Sequence, residues 1–202
     1  MDSTDVGSVA VANPMDEEDQ RIMKMVLLGC DITEVFSPKR VTRACKRYGL
    51  IPGESFDLRT GYDLSDSDVQ QYVRQRIEQS DPELLIASPP CTKFSRLQQL
   101  NICVLGPEYE AKLASERKAA LKHIEYCLEL FRLRIDKGKY VLFEHPAQAD
   151  SWQEPILSKF AEIPGVECTI GDQCMYGLKT AGPPGESNMA AKKPTRVMSN
   201  AL

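Results

Sequence analysis

Short apolar runs and longer stretches with helical spacing take turns along this chain. "DITEVF" (31–36), "ELLIAS" (83–88) and "YVLFEH" (140–145) read as strands buried on both faces, and "ESFDL" (54–58) as a further short strand. Between them, "KRVTRACKRYG" (39–49) predicts a basic helix closed by Gly49. "SDSDVQQYVRQRIEQSD" (65–81) opens on capping Ser and Asp residues. It carries Val69, Tyr72, Val73 and Ile77 at helical spacing, and Pro82 stops it. A long helix is predicted over 108–136, with Leu121, Ile124, Leu128 and Phe131 on one stripe. A short helix near 151–161, a strand near 165–170 and a final pair of strands near 175–178 and 194–199 follow. "KTAGPPGESNMAAKK" between that pair reads as a loose loop.

Strands alternating with helices predict an α/β protein: a doubly wound, mostly parallel, Rossmann-like sheet with helices on both faces. In such a sheet ligands gather beyond the carboxyl ends of the strands. Three chemistry-bearing groups fall there: Cys91 after "ELLIAS", Glu144 and His145 closing "YVLFEH", and Asp57 closing "SFDL".

A length of 202 residues suits one α/β domain with a real core, taken here as 21–202. The net charge of −4 is uneven. Residues 1–20 hold six acids and no Lys or Arg, and are expected to be a disordered acidic tail. Set those six aside and 23 acids remain against 25 Lys and Arg, a mildly basic body that permits a nucleic-acid partner. Seven scattered cysteines without a CxxC pair argue against a disulfide framework and against a metal site. Reduced thiols, an acidic start and an apolar run, "MVLLG", too short to span a bilayer predict an intracellular protein, cytoplasmic or nuclear, with no membrane partner.

Cys91 lies behind two prolines, in "SPPCTKFSRLQ" (88–98), and that rigid collar suits a thiol that must be aimed. A packing cysteine, the usual fate of the residue, does not need the collar. A carboxylate ending an apolar strand, as Glu144 does, is costly unless it caps a helix or meets a ligand.

In order, "EVFSPKRVTRACKRYG", "SPPCTKFSRLQ", "FEHPA" and "QCMYGL…KPTRVMSN" resemble the cytosine-C5 methyltransferases, and a divergent transposon- and phage-type group of methyltransferase-like proteins. The resemblance runs over about residues 31–200, with Pro-Pro-Cys-x-x-Phe-Ser its specific stretch. It implies a Rossmann-like methyltransferase fold and S-adenosylmethionine as cofactor. Cys91 would be the nucleophile at C6, Glu144 the partner of N3, and Arg196 the arginine that steadies the base. Phe36, Ser37 and Pro89 would border the cofactor, Asp57 would take its ribose and Asp63 would lie near its adenine. The partner implied is nucleic acid, DNA rather than RNA, with the target base flipped out of a duplex.

The pattern also departs from the family. Ser-Pro-Lys-Arg stands where the glycine loop belongs, so Lys39 and Arg40 could meet the cofactor carboxylate instead. His145-Pro146 replaces Asn-Val after Glu144, and Thr92 follows the cysteine in place of a glutamine. No target-recognition domain is expected, so a separate recognition subunit would supply sequence reading. The remaining basic residues, Arg43, Lys46 and Arg47, read as a solvated helix face, and Trp152 as core packing. Two other readings stand beside methyl transfer: a methyltransferase-fold binding module without catalysis, and a hydrolase built on Cys91 and His145.

Overall fold

A computed structural model of the protein describes residues 19–20, 23, 29–182 and 189–201. The expected disorder of the acidic tail falls, for 1–18, outside the described residues; Asp19, Gln20 and Met23 are helical and exposed. Residues 25–28 of the short apolar run also lie outside them.

The first strand, β1 (Ile32–Val35), is buried at every position, as its apolar run requires. A short helix, α1 (Val41–Cys45), continues as a 3₁₀ turn to Tyr48, and Gly49 ends it in the left-handed region at φ 71°. Then follow β2 (Pro52–Phe56), α2 (Ser67–Ser80), capped by the Asp66 side chain, and β3 (Leu84–Ala87). Helices α3 (Gln98–Leu105) and α4 (Pro107–Asp136) lead to β4 (Tyr140–Pro146). The chain closes with α5 (Pro155–Ala161), β5 (Glu167–Asp172), a two-strand ribbon of β6 (Lys179–Thr180) and β7 (Met189–Ala190), and β8 (Pro194–Ser199).

The main sheet runs β2-β1-β3-β4-β8-β5. The β1–β2, β1–β3 and β3–β4 pairs are parallel, and β8 lies antiparallel between β4 and β5. Alternation across each strand sends Val35, Leu85, Val141 and Phe143 to one face. There they meet Val73 and Ile77 of α2, Ile124 and Phe131 of α4, and Leu157 and Phe160 of α5. The other face packs Ile32 and Ile86 on Cys45 of α1. Helices therefore cover both faces, and the doubly wound α/β architecture expected from the alternating pattern is the one observed. From β1 the chain moves outward to β2 and then returns to the other side at β3. That reversal makes the carboxyl ends of β1 and β3 the crevice where such sheets take ligands.

Three local expectations are corrected. Residues 175–178 do not form a strand: Gln173–Tyr176 is a 3₁₀ turn, and Gly177 at φ 88° turns the chain out of any extended path. The stretch read as a loose loop carries β6 and β7, paired antiparallel, with Leu178 O accepting from Ala191 N at 3.0 Å. Helix α3 was not expected, because its apolar residues do not face the core: Leu100, Val104 and Leu105 are exposed and only Gln98 is buried. Among the described residues no helix is long and apolar enough to cross a membrane.

Candidate functional site

The turns after β1, β2, β3 and β4 enclose a cavity of about 420 Å³ at the switch point. Phe36, Ser37, Asp57, Pro89, Cys91 and Glu144 line it, so six of the eight residues singled out from the sequence are brought together. Arg40, Arg59 and Lys193 complete its charged lining. A second cavity of about 430 Å³ opens beside Cys91, Thr92 and Pro146, walled also by Ser95, Arg96, Leu97 and Gln148. Cys91 thus borders both cavities.

Cys91 is half-buried in a loop whose carbonyls are held one after another. The Pro89 carbonyl accepts from His145 Nε2 at 2.8 Å, that of Thr92 from Gln98 Nε2 at 2.9 Å, and that of Lys93 from Arg117 Nε at 2.8 Å. Arg117 also donates to Asp150 at 2.6 Å, which ties this loop to the turn beyond β4. Phe94, fully buried, pins the turn after Cys91 to the core. The paired prolines are one element of a wider clamp. Gln98 and Arg117 were missed because their role depends on α3 and α4 folding back over the loop. Burial raises the Cys91 thiol above the ordinary range, and the Glu144 charge raises it further, with Lys193 opposing. In the free protein the thiol is therefore held in its protonated form.

Glu144 reaches the cavity from β4, and its Oε1 atom is buried without a hydrogen-bond partner. The Lys193 ammonium lies 3.9 Å from that oxygen. A buried oxygen with a loose ion-pair contact and no hydrogen bond has acceptor capacity left for a ligand.

His145 is 1% exposed and fully committed. A carbonyl can only accept, so Nε2 carries the proton it donates to Pro89, and Nδ1 accepts from Ser151 Oγ at 2.8 Å. Neither nitrogen is left to act as a base, which removes the Cys91–His145 hydrolase. Burial pushes His145 down to about 4. The sign follows from linkage. Below about pH 6.5 the unfolded chain binds a proton that the folded ring takes up only near pH 4, so stability is complete above 6.5 and falls between 6.5 and 4. The full loss should approach about 3 kcal/mol. Urea titrations at pH 7, 5.5 and 4.5 check it: His145→Asn should flatten the slope in that window, and an unchanged slope would mean another group carries it.

Phe36 departs from ordinary backbone, with φ 54°. That region is rare for a bulky residue and persists only where surrounding structure holds it, often at ligand sites. Here the Phe36 amide donates to Phe56 O at 2.8 Å, and the ring meets His123 edge-on at 5.0 Å. Asp57 lines the cavity and also caps the 3₁₀ turn Leu58–Thr60, accepting from Arg59 N at 2.9 Å.

Asp63 and Arg196 are not brought to this cavity. Asp63 is exposed, and hydrogen bonds from the Ser65 hydroxyl and amide hold its carboxyl below the usual carboxylate range. Arg196 pairs with His145 across the β4–β8 ladder, whereas Glu144 pairs with Val197. Opposed residues share a face, so Arg196 and Glu144 lie on opposite faces of the sheet. The Arg196 guanidinium stacks over Trp152 at 5.2 Å, and the Trp152 ring packs edge-on against Phe143 in the core.

Glu34 was not anticipated at all. Fully buried in β1, its carboxylate accepts from the amides of Arg40, Val41 and Thr42 (3.2, 3.1 and 2.8 Å) and the hydroxyls of Ser37 and Thr42 (2.9 and 2.6 Å). It fills from inside the place after β1 where a doubly wound fold offers backbone amides to an anion. The available signal was a glutamate in the middle of a strand buried at every position.

No family model matches this chain, and no curated protein matches it. A solved structure similar to it is the Entamoeba histolytica methyltransferase EhMeth, 12% identical with a TM-score of 0.46. The alignment covers 85% of this chain and 52% of that one, so this chain spans about half its length. The functional reading accordingly rests on the residues of the cavity.

Proposed function

We propose that this protein transfers a methyl group to C5 of cytosine in nucleic acid, DNA rather than RNA, with S-adenosylmethionine as the donor. The observation that carries the reading is the joint lining of one cavity by Cys91 and Glu144, whose Oε1 makes no hydrogen bond, together with Phe36 and Asp57. A space of about 420 Å³ is within the range of small-molecule sites.

C5 of cytosine is a poor nucleophile until a thiolate adds at C6. The Cys91 thiol would give its proton to water and its sulfur form that bond while the Glu144 carboxyl holds N3 and relays a proton to it, so the ring accepts the electron pair. After transfer, loss of the C5 proton to water expels the Cys91 thiolate and restores the double bond, and N3 returns its proton through Glu144. When bound, S-adenosylmethionine supplies an electrophilic methyl group. Asp57 suits its ribose hydroxyls, and Phe36, Ser37 and Pro89 suit its methionine end. The clamp on the Cys91 loop supplies preorganisation, which makes a positioned nucleophile effective. Arg96 and Gln148 in the second cavity offer a polynucleotide polar contacts on its way to the thiol. Sequence reading by a separate recognition subunit belongs to the same proposal.

A second reading, a methyltransferase-fold binding module without catalysis, is favoured by one observation: Glu34 occupies the amides a cofactor loop would use. Calorimetric titration with S-adenosylmethionine separates the two. Saturable binding with a dissociation constant below about 100 µM, within the range of ordinary enzyme substrates, is expected. No heat of binding at millimolar cofactor would overturn the methyltransferase reading and leave the module.

A further inference from the structure

Where the cavity can hold negative charge follows from what Glu34 has already taken. In a doubly wound sheet the turn after β1 and the first amides of the next helix are the usual seat for an anionic ligand group. Here the amides of Arg40, Val41 and Thr42 all donate to the Glu34 carboxylate. A ligand anion arriving there would find its donors spent and a buried negative charge behind them. Recognition of an anion at this end must therefore come from side chains.

Two are in place. Arg40 follows β1 and Arg59 follows β2, both exposed and both lining the cavity. Neither guanidinium has an ion pair or side-chain hydrogen bond among the described residues, although Arg76, Arg117 and Arg134 are each paired with a carboxylate. Lys39, the other basic residue of the loop, is exposed and outside the lining. Position across the sheet also matters. With the order β2-β1-β3-β4, Arg59 and Glu144 follow the outermost strands of the cavity, while Arg40 and Cys91 follow the two neighbouring strands between them. Three strand spacings separate β2 from β4, about 14 Å. An anion held between Arg40 and Arg59 would thus lie on the β1–β2 side of the cavity, displaced from Glu144 toward the sheet edge.

We propose that Arg40 and Arg59 form an oxyanion subsite of the cavity, replacing backbone amides that Glu34 has occupied. The group it takes is a planar or tetrahedral oxyanion: the carboxylate of the methionine end of S-adenosylmethionine, or a phosphate of the polynucleotide. Guanidinium groups suit both because their forked donors match such oxygens. The carboxylate assignment rests on the cofactor reading above; the subsite itself does not.

The test compares wild type with the Arg40→Ala/Arg59→Ala double variant by calorimetry. Three probes are used: S-adenosylmethionine, 5′-deoxy-5′-methylthioadenosine, which lacks the amino-acid end, and a cytosine-containing single-stranded oligonucleotide. Both substitutions are at exposed positions and leave the backbone amide to Glu34 intact. If the anion is the carboxylate, the double variant binds S-adenosylmethionine about tenfold or more weakly and methylthioadenosine as wild type does. If it is a phosphate, cofactor binding is unchanged, oligonucleotide binding weakens and its salt slope falls. Arg43→Ala/Arg47→Ala, outside the cavity, should reproduce neither effect, and a control that matched the double variant would overturn the subsite. So would a double variant that binds cofactor and oligonucleotide as wild type does; the cofactor reading would then still stand. Failure of wild type to bind either probe would overturn both.

Discussion

Glu34→Ala is expected to cost about 3–5 kcal/mol of folding stability, the range for removing one partner of a buried charged network. The residue is fully buried and makes no contribution as an apolar group, yet its carboxylate is the acceptor for five donors. Thr42, itself buried, would lose its partner at both the amide and the hydroxyl. Each unsatisfied buried donor costs about 1–3 kcal/mol, though water can reach the exposed Arg40 and Val41 amides and reduce the sum. Helix α1, five residues long and without a side-chain cap of its own, is otherwise fixed to the sheet by the packing of Cys45 on Ile32 and Ile86. In urea titration the midpoint should fall with the slope unchanged. Glu34→Gln should be milder, keeping one carbonyl oxygen while turning an amide group toward donors. A loss below about 1 kcal/mol for Glu34→Ala would show that the carboxylate does not hold this junction, since surface-like substitutions fall in that range. The oxyanion subsite would then lose its premise.

Much of this architecture was legible because parallel strands covered on both faces are written as apolar runs. Those runs placed β1, β3 and β4, and helical spacing placed α2 and α4. Once the strand ends were known, the rule that ligands lie beyond them was enough to collect Asp57, Cys91 and Glu144, while Phe36, Ser37 and Pro89 came from the family resemblance. Arg196 escaped for a specific reason. Its face depends on the β4–β8 register, and a slip of one residue would have pointed it at the Glu144 side. Nothing in "KPTRVMSN" encodes that register locally. Asp63 was a similar case, since a carboxylate in a polar turn can serve its own backbone as readily as a ligand. Glu34 acts through partners 3 to 8 positions away in a turn no regular period describes, Gln98 through one 6 away, and Arg117 and Lys193 through partners 24 and 49 positions away, beyond any local spacing. Tertiary folding alone makes Arg117 and Lys193 part of the site.

Cys91→Ser should abolish methyl transfer to cytosine-containing nucleic acid, by about a thousandfold or more, while leaving the fold and S-adenosylmethionine binding intact. The size follows from the loss of the covalent step: a hydroxyl has no accessible anion near neutral pH, and single knockouts of a nucleophile cost at least that much. Retention of fold follows from the clamp, because the hydrogen bonds holding the loop end on the carbonyls of Pro89, Thr92 and Lys93, and none needs the sulfur. A pH signature accompanies the substitution. The folded thiol is raised above its ordinary range, so the reactive thiolate grows only as pH rises through the alkaline range. Alkylation by iodoacetamide should therefore be slow at neutral pH and accelerate with pH. Glu144→Gln should speed it, since the Glu144 charge is the second cause of the shift after burial. Bound S-adenosylmethionine, by placing a cation in the same cavity, should act in the same direction unless it shields the sulfur from the reagent. Full methyl transfer by Cys91→Ser would remove the nucleophile from this site. Transfer lost together with cofactor binding would mean instead that the thiol is a structural wall of the cavity.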